Sequence, residues 1–397
     1  MRRFVCLLVL MLASPAVAEP WQRHTIDRSS RGADGVRVAD VNGDTLMDIT
    51  TGWEEGGVIR VYLNPGPAAA AETWPAVTVG EVATPEDAVF VDLDGDTAVD
   101  VVSSCEGKTR TMFVHWAPRD AERYLDAAAW KTEAFPATRD KQRWMFALPM
   151  QIDGVGGVDL VVGSKNDNAS IGWLRSPADP RDLAGWKYHR LYDAGWIMSL
   201  EPLDVDGDGD LDVVASDRRA ARRGVLWLEN PGAAAAANGA GWNEHRIGAD
   251  GVEVLFLTLC DLDGDGLRDV LTSARESRLV YLRRLPGEGA RWQAHDIALP
   301  YELPFGKSLA VDDIDLDGRP DIVMTNRGDP KKSCVSWMSY DASVFEEHWT
   351  PHDISGPDGQ KFDLIQLLDL DDDGDLDVVT CEEIQNLGVF WYENPTR

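Results

Sequence analysis

Cysteine is scarce, basic residues are outnumbered, and no apolar run is long enough to span a bilayer. The 397 residues include 5 Cys, at spacings that match no disulfide framework, although an exported chain could still pair them. Against 68 Asp and Glu stand only 38 Lys and Arg. This excludes a general positive field for gripping nucleic acid or anionic membrane. The apolar run Phe4 to Leu12 falls short of the roughly 18 residues a spanning helix needs, and no later run reaches that length. No 3.6-residue apolar period is visible. A Ser-His-Asp constellation, a Cys–His pair and a zinc spacing are also missing, so no motif announces an enzyme.

What is present begins with a leader. Arg2 and Arg3, the apolar run and Ala16-Val17-Ala18 read as a signal peptide over residues 1–18. Export to the periplasm or the outside of the cell is expected, with residues 19–397 as the mature chain. No Cys follows the apolar run, so a lipid anchor is not expected. Removing Cys6 leaves Cys105, Cys260, Cys334 and Cys381, expected as buried or free thiols. A hydrophobic content of 44% and 15 Trp rule out disorder. One core rarely serves so long a chain, which points to several domains or a repeat array.

The repeats settle which. Trp21…His24…Ile26 recurs as Trp186…His189…Leu191, Trp242…His245…Ile247, Trp292…His295…Ile297 and Trp349…His352…Ile354, with copies lacking His at Trp74 and Trp130. A second word, Asp-x-Asp/Asn-x-Asp with a further Asp four residues on, starts at Asp40, Asp92, Asp204, Asp261, Asp313 and Asp369, and in decayed form at Gln151. A third, Trp-x-Glu-Asn-Pro, closes units at Trp227 and Trp391. Short Val-, Ile- and Trp-rich runs between Gly, Pro, Asn and Asp make about four strands per unit. Seven such units predict an all-β, seven-bladed β-propeller. The chain opens on a Trp-x-x-His strand and ends on a Trp-x-Glu-Asn-Pro strand. Residues 21–26 are therefore expected to close the last blade.

Carboxylates at positions 1, 3, 5 and 9 of one tight loop cannot sit together uncompensated. Oxygen-only ligands suit a hard cation, Ca²⁺ above all. The candidate ligands are Asp40, Asn42, Asp44 and Asp48; Asp92, Asp94, Asp96 and Asp100; Asp204, Asp206, Asp208 and Asp212; Asp261, Asp263, Asp265 and Asp269; Asp313, Asp315, Asp317 and Asp321; and Asp369, Asp371, Asp373 and Asp377. About six Ca²⁺ are expected, one per blade except blade 3, whose Gln151, Asp153, Val155 and Asp159 have lost two carboxylates. Such binding would account for much of the formal charge of −30.

On these motifs, Asp204-Val-Asp-Gly-Asp-Gly-Asp-Leu-Asp212 above all, the mature chain resembles the FG-GAP or VCBS repeat family, which includes the integrin α-chain propeller. The Trp-x-x-His and Trp-x-Glu-Asn-Pro words are similar to a secreted bacterial branch, and more distantly to the propeller domain of the fungal aldos-2-ulose dehydratases. The resemblance implies Ca²⁺ between the first two strands of a blade, on the lower face. It says little about function.

Function is sought where blades differ. Twelve Trp occupy repeated positions, including 116, 173, 227, 337 and 391; Trp53, Trp144 and Trp196 do not, and are expected on the upper face or funnel, where they could stack on sugars. Six residues past each last Asp stand Glu54, Glu106, Lys165, Arg218, Arg275, Arg327 and Glu383. Acidic residues thus come from blades 7, 1 and 2, and basic ones from blades 3 to 6. Arg143, Glu253, Lys307, Lys361 and Asp363 precede first strands. The basic arc suits an anionic ligand. A monomeric binding module for an extracytoplasmic glycan or protein is expected, with no nucleic acid and no membrane insertion. The alternative is a carbohydrate-active enzyme, a polysaccharide lyase or sugar dehydratase, in the upper funnel.

Overall fold

The computed structural model describes residues 19–219, 221–287, 290–327 and 332–397. The expected signal peptide lies outside the described residues. Twenty-eight strands form seven four-stranded antiparallel sheets, each in simple up-and-down order. Blades 1 to 6 run Ala33–Glu81, Pro85–Ala134, Arg143–Asp193, Ile197–Gly248, Val254–Ala298 and Gly306–Asp353. Blade 7 takes three strands from Phe362–Glu393 and its fourth from Gln22–Asp27. First strands touch first strands all the way round, and those of blades 7 and 1 meet to complete the ring.

The closing strand pairs antiparallel with Gly388–Glu393, placing His24 opposite Trp391. Its far end also ties blade 7 to blade 1, because the Asp27 carboxylate accepts from Tyr62 Oη at 3.0 Å and from Arg60. Sealing with the first strand pairs the outer edge of Gly388–Glu393 and gives the last blade the same four strands as the others.

The core is divided into seven apolar clusters, one in each gap between adjacent blades. Every second strand is therefore covered on both faces. All residues of these strands are buried, from Asp48–Trp53 to Asp377–Glu382. This explains why they read as unbroken Val-Val runs rather than as apolar–polar alternation.

The Trp and His words prove to be two halves of one contact. Trp173, Trp227, Trp337 and Trp391 lie directly opposite His189, His245, His352 and His24, with ring centroids 3.8 to 5.2 Å apart. In blades 4 and 7 the Glu of Trp-x-Glu-Asn-Pro then accepts from the same His Nε2 at 2.6 Å. Cross-strand aromatic pairs of this kind stabilise a sheet by several tenths of a kcal/mol to about 1 kcal/mol each. Trp116 departs from the pattern. It sits two residues further along, opposite Lys131, and its indole donates to Glu133 at 3.0 Å.

Among the described residues, Cys105, Cys260, Cys334 and Cys381 are all buried and no disulfide joins them. Among the described residues, no helix is long and apolar enough to cross a membrane.

Candidate functional site

The Asp loops and the funnel occupy opposite ends of the inner strands. Each first strand runs from the funnel to its loop, and each second strand returns.

In every loop, positions 4 and 6 take positive φ, including the non-glycines Thr45, Thr97, Leu316 and Asp372. This curls the backbone so that the first Asp accepts from N–H groups further along the loop. Asp40 accepts from Gly43, Asp44 and Thr45 at 2.7 to 3.1 Å, and Asp313 from Asp317 and Gly318. One carboxylate oxygen from each of Asp92, Asp94 and Asp96 lies within 4.8 Å of the others. The same holds for Asp204, Asp206 and Asp212, and for Asp261, Asp263 and Asp265. In blade 7, Asp371 Oδ1 and Asp375 Oδ1 are buried with no hydrogen-bond partner. Orphaned, oxygen-only donors of this kind fit a hard cation. Asp375 and its blade 4 counterpart Asp210 stand at position 7, a carboxylate visible in the sequence that the 1-3-5-9 pattern passes over. Arginines also reach into some loops: Arg181 to Asp94 and Asp96, and Arg283 to Asp263 and Asp265.

The ninth Asp has a task of its own. Asp159 accepts from Ile152 N at 3.1 Å and Ser176 N at 2.7 Å, joining the loop to the end of the third strand. Asp48, Asp212 and Asp377 make the same pair of bonds. Burial raises Asp159 to about 6 although both N–H groups favour its charged form. Blade 3 has lost two of its loop carboxylates yet keeps this clamp, so the clamp does not depend on a full set of loop carboxylates. Its remaining Asp153 pairs instead with Arg175, which supplies a positive charge from within the blade.

At the other end, each blade offers two residues to a shared cavity. One stands six residues before the loop: Asp34, Glu86, Met145, Met198, Leu255, Lys307 and Asp363. The other stands six residues after it: Glu54, Glu106, Lys165, Arg218, Arg275, Arg327 and Glu383. A cavity of about 250 Å³ is lined by eleven of these fourteen, with Lys361, Trp196, Phe146, Phe256 and Leu364. Leu255 and Arg275 line an adjoining recess with Phe305. The walls differ in charge. Blades 7, 1 and 2 contribute six carboxylates, among which Lys165, Lys307 and Lys361 are inserted. Lys165 bonds Glu86 at 3.2 Å and also Glu106; Lys307 bonds Asp363, and Lys361 bonds Glu383. Burial raises Glu86 to about 7, with Lys165 opposing and Glu106 adding to the rise. Burial and the neighbouring Asp363 carry Asp34 well above the usual carboxylate range. Asp363 is itself held at about 2 against burial by Lys307 and Lys361. Opposite them, Glu253 joins Arg218 at 2.9 Å and Arg275 at 3.1 Å.

Comparison with known proteins places this architecture. Residues 261–324 match the FG-GAP-like repeat family. The chain is a seven-bladed β-propeller in which one stretch matches an FG-GAP-like repeat. No curated protein matches it. Among solved structures, BBS1N in complex with ARL6DN is 10% identical with a TM-score of 0.53, covering 96% of this chain and 98% of that one. YCF48 from Cyanidioschyzon merolae is 10% identical, also at 0.53, covering 95% and 99%. At that identity the likeness concerns the fold.

Of the funnel residues expected from sequence, the propeller brings together Glu54, Glu106, Lys165, Trp196, Arg218, Lys307, Arg327 and Lys361 in one cavity. Arg275 and Glu253 adjoin it, and Glu383 lies within 4.8 Å of Asp34 and Glu54. Three expectations need correction. Trp53 and Trp144 are fully buried between blades; their indoles donate to Tyr62 Oη and the Thr138 carbonyl, so neither presents a face to a ligand. Strand alternation is the reason, since their chain neighbours Glu54 and Met145 point into the cavity instead. Arg143 is exposed and absent from the lining. Trp196 does reach the cavity, but Lys165, Arg218 and Arg219 stand 4.5 to 4.8 Å from its ring centre, and a stacking sugar would compete with them. Asp34 and Glu86 are the main residues missed. The signal was available, because the offset that exposes them is as regular as the one that singled out Glu54 and Glu106.

Proposed function

We propose that this propeller is an exported, calcium-stabilised binding module whose extracytoplasmic ligand enters the funnel and presents an acidic group, an acidic glycan being the favoured class. One observation carries the reading. Eleven cavity residues come from two positions per blade that the repeat leaves free, and they set a wall of carboxylates laced with lysines against a wall of arginines. Arg218, Arg275 and Arg327 converge on one side, and no carboxylate among the described residues pairs with Arg327. Planar guanidinium groups suit carboxylate or sulfate, which they can meet bidentately. Ca²⁺ would be held in the loops of every blade but the third, at the other end of the strands, and would stiffen the scaffold rather than touch the ligand.

Binding of uronate- or sulfate-bearing oligosaccharides should be measured on a glycan array and by calorimetry. Arg218→Ala/Arg275→Ala should abolish binding, with melting curves showing that the variant is folded. A wild-type protein that binds no acidic glycan would remove this reading. A protein ligand is the second binding possibility, since BBS1N, of like fold, was crystallised with ARL6DN.

A catalytic reading has its own support. Glu86 sits at about 7 beside Lys165, and burial lowers the pKa of Lys307. A carboxyl at about 7 can exchange protons near neutrality. Ultraviolet absorbance from unsaturated products, tested on acidic polysaccharides, separates a lyase from a binder.

A further inference from the structure

The acidic wall is not balanced by its own lysines. Apart from Asp87, which Arg37 pairs, six carboxylates face three ammonium groups, and the three lysines bond Glu86, Glu106, Asp363 and Glu383. Asp34 and Glu54 receive no ion pair among the described residues, although Asp34 is only 6% exposed and both line the cavity. Their carboxylate oxygens and one from Glu383 lie within 4.8 Å of one another. Asp34 shares a hydrogen bond with Asp363 and feels Lys361 and Lys307 without pairing with either, and burying a carboxylate without its own ion pair is costly. Burial displaces both upward, with Asp363 adding to the rise at Asp34 and Glu106 at Glu54.

A cationic guest would meet that cost. A bare divalent ion is poorly suited, because Lys361 already sits beside Asp363 and Glu383 and would repel it. A single ammonium group can instead join the existing lattice of lysines and carboxylates. Across the cavity stand Arg218, Arg275 and Arg327, and between the walls lies an apolar floor of Met145, Phe146, Met198 and Phe256. The site is therefore complementary to a short molecule with opposite charges at its two ends and carbon between them.

We infer that the ligand unit is zwitterionic, an amino sugar joined to a uronic acid, with its free ammonium on the wall of Asp34, Glu54 and Glu86 and its carboxylate on the arginines. This rests on the reading of the funnel as a glycan site.

The test uses the mature protein in saturating Ca²⁺ and three probes: a glucosamine–glucuronate disaccharide with a free amine, the same compound N-acetylated, and the same compound with its carboxyl reduced. Calorimetry should show the free-amine acid binding about tenfold or more tightly than either altered form. Glu54→Gln/Glu86→Gln should erase the preference for the free amine while keeping the need for the carboxylate. Arg218→Ala/Arg275→Ala should do the reverse. Melting curves on each variant establish that it is folded. Equal affinity for the free and acetylated amine would overturn the inference and leave the acidic-glycan reading standing. Failure of all three sugars would remove both. Binding of a free-amine dipeptide but none of the sugars would overturn the assignment to a sugar.

Discussion

Single residues at this propeller's strand ends either clamp the backbone or face the cavity, and each kind has its own signature under mutation. Asp159 is buried and accepts two backbone N–H bonds in a blade that has lost two loop carboxylates. Asp159→Ala strands both donors and should cost about 2 to 4 kcal/mol. Denaturant titration should give the same loss with and without Ca²⁺; a loss seen only with Ca²⁺ would assign Asp159 to a metal site instead. Glu86 tests the opposite case. Its folded pKa of about 7 lies above its ordinary value of 4.5. Its contribution to stability is therefore complete below about 4.5 and lost as pH rises through about 7. Glu86→Gln should remove a pH-dependent penalty of at most about 3 kcal/mol, since Lys165 keeps Glu106 as a partner. Melting curves at pH 5 and pH 8 check it: the variant should gain on wild type only at the higher pH.

Among the elements, the strand Gln22–Asp27 carries more than its length suggests. It buries Ile26, stacks His24 on Trp391 at 4.4 Å, and sends Asp27 into blade 1. Burying the Ile side chain contributes about 2 kcal/mol, and each ladder hydrogen bond about 1 kcal/mol. Deleting residues 19–27 should thus cost on the order of 5 kcal/mol or more and expose a sheet edge prone to self-association. Calorimetric melting with light scattering would show both. An unchanged melting temperature would mean that the last blade is stable with three strands.

For the whole molecule, charge and metal dominate. A chain with 68 acidic and 38 basic residues repels itself, and most of the crowding is in the loops. Chelation should lower the melting temperature, because Ca²⁺ bound only to the folded state adds about 2.7 kcal/mol per site at a hundredfold excess over Kd. Elemental analysis should find about six Ca²⁺ per chain, and restoring Gln151→Asp and Val155→Asp together should add one. A melting temperature indifferent to chelator, with no Ca²⁺ bound, would refute the loops as metal sites.

The sequence alone determined the blade count, the strand composition of each blade and the closure by the first strand, since each depends on short-range repetition. Asp-x-Asp-x-Asp can only be a tight loop, and a Val-Val run flanked by Gly and Asn can only be a short covered strand. The cavity was half legible. Glu54, Glu106, Lys165 and Arg218 stand at a constant offset, and counting found them. What counting could not supply is which way a strand faces. Only the packed ring decided that Trp53 and Trp144 turn into the gaps between blades while Glu54 and Met145 turn inward, because neighbouring residues of a strand point to opposite sides. Only the ring, too, brought Asp34 of blade 1 against Asp363 of blade 7, more than three hundred residues apart, since radial closure makes neighbours of the two ends of the chain.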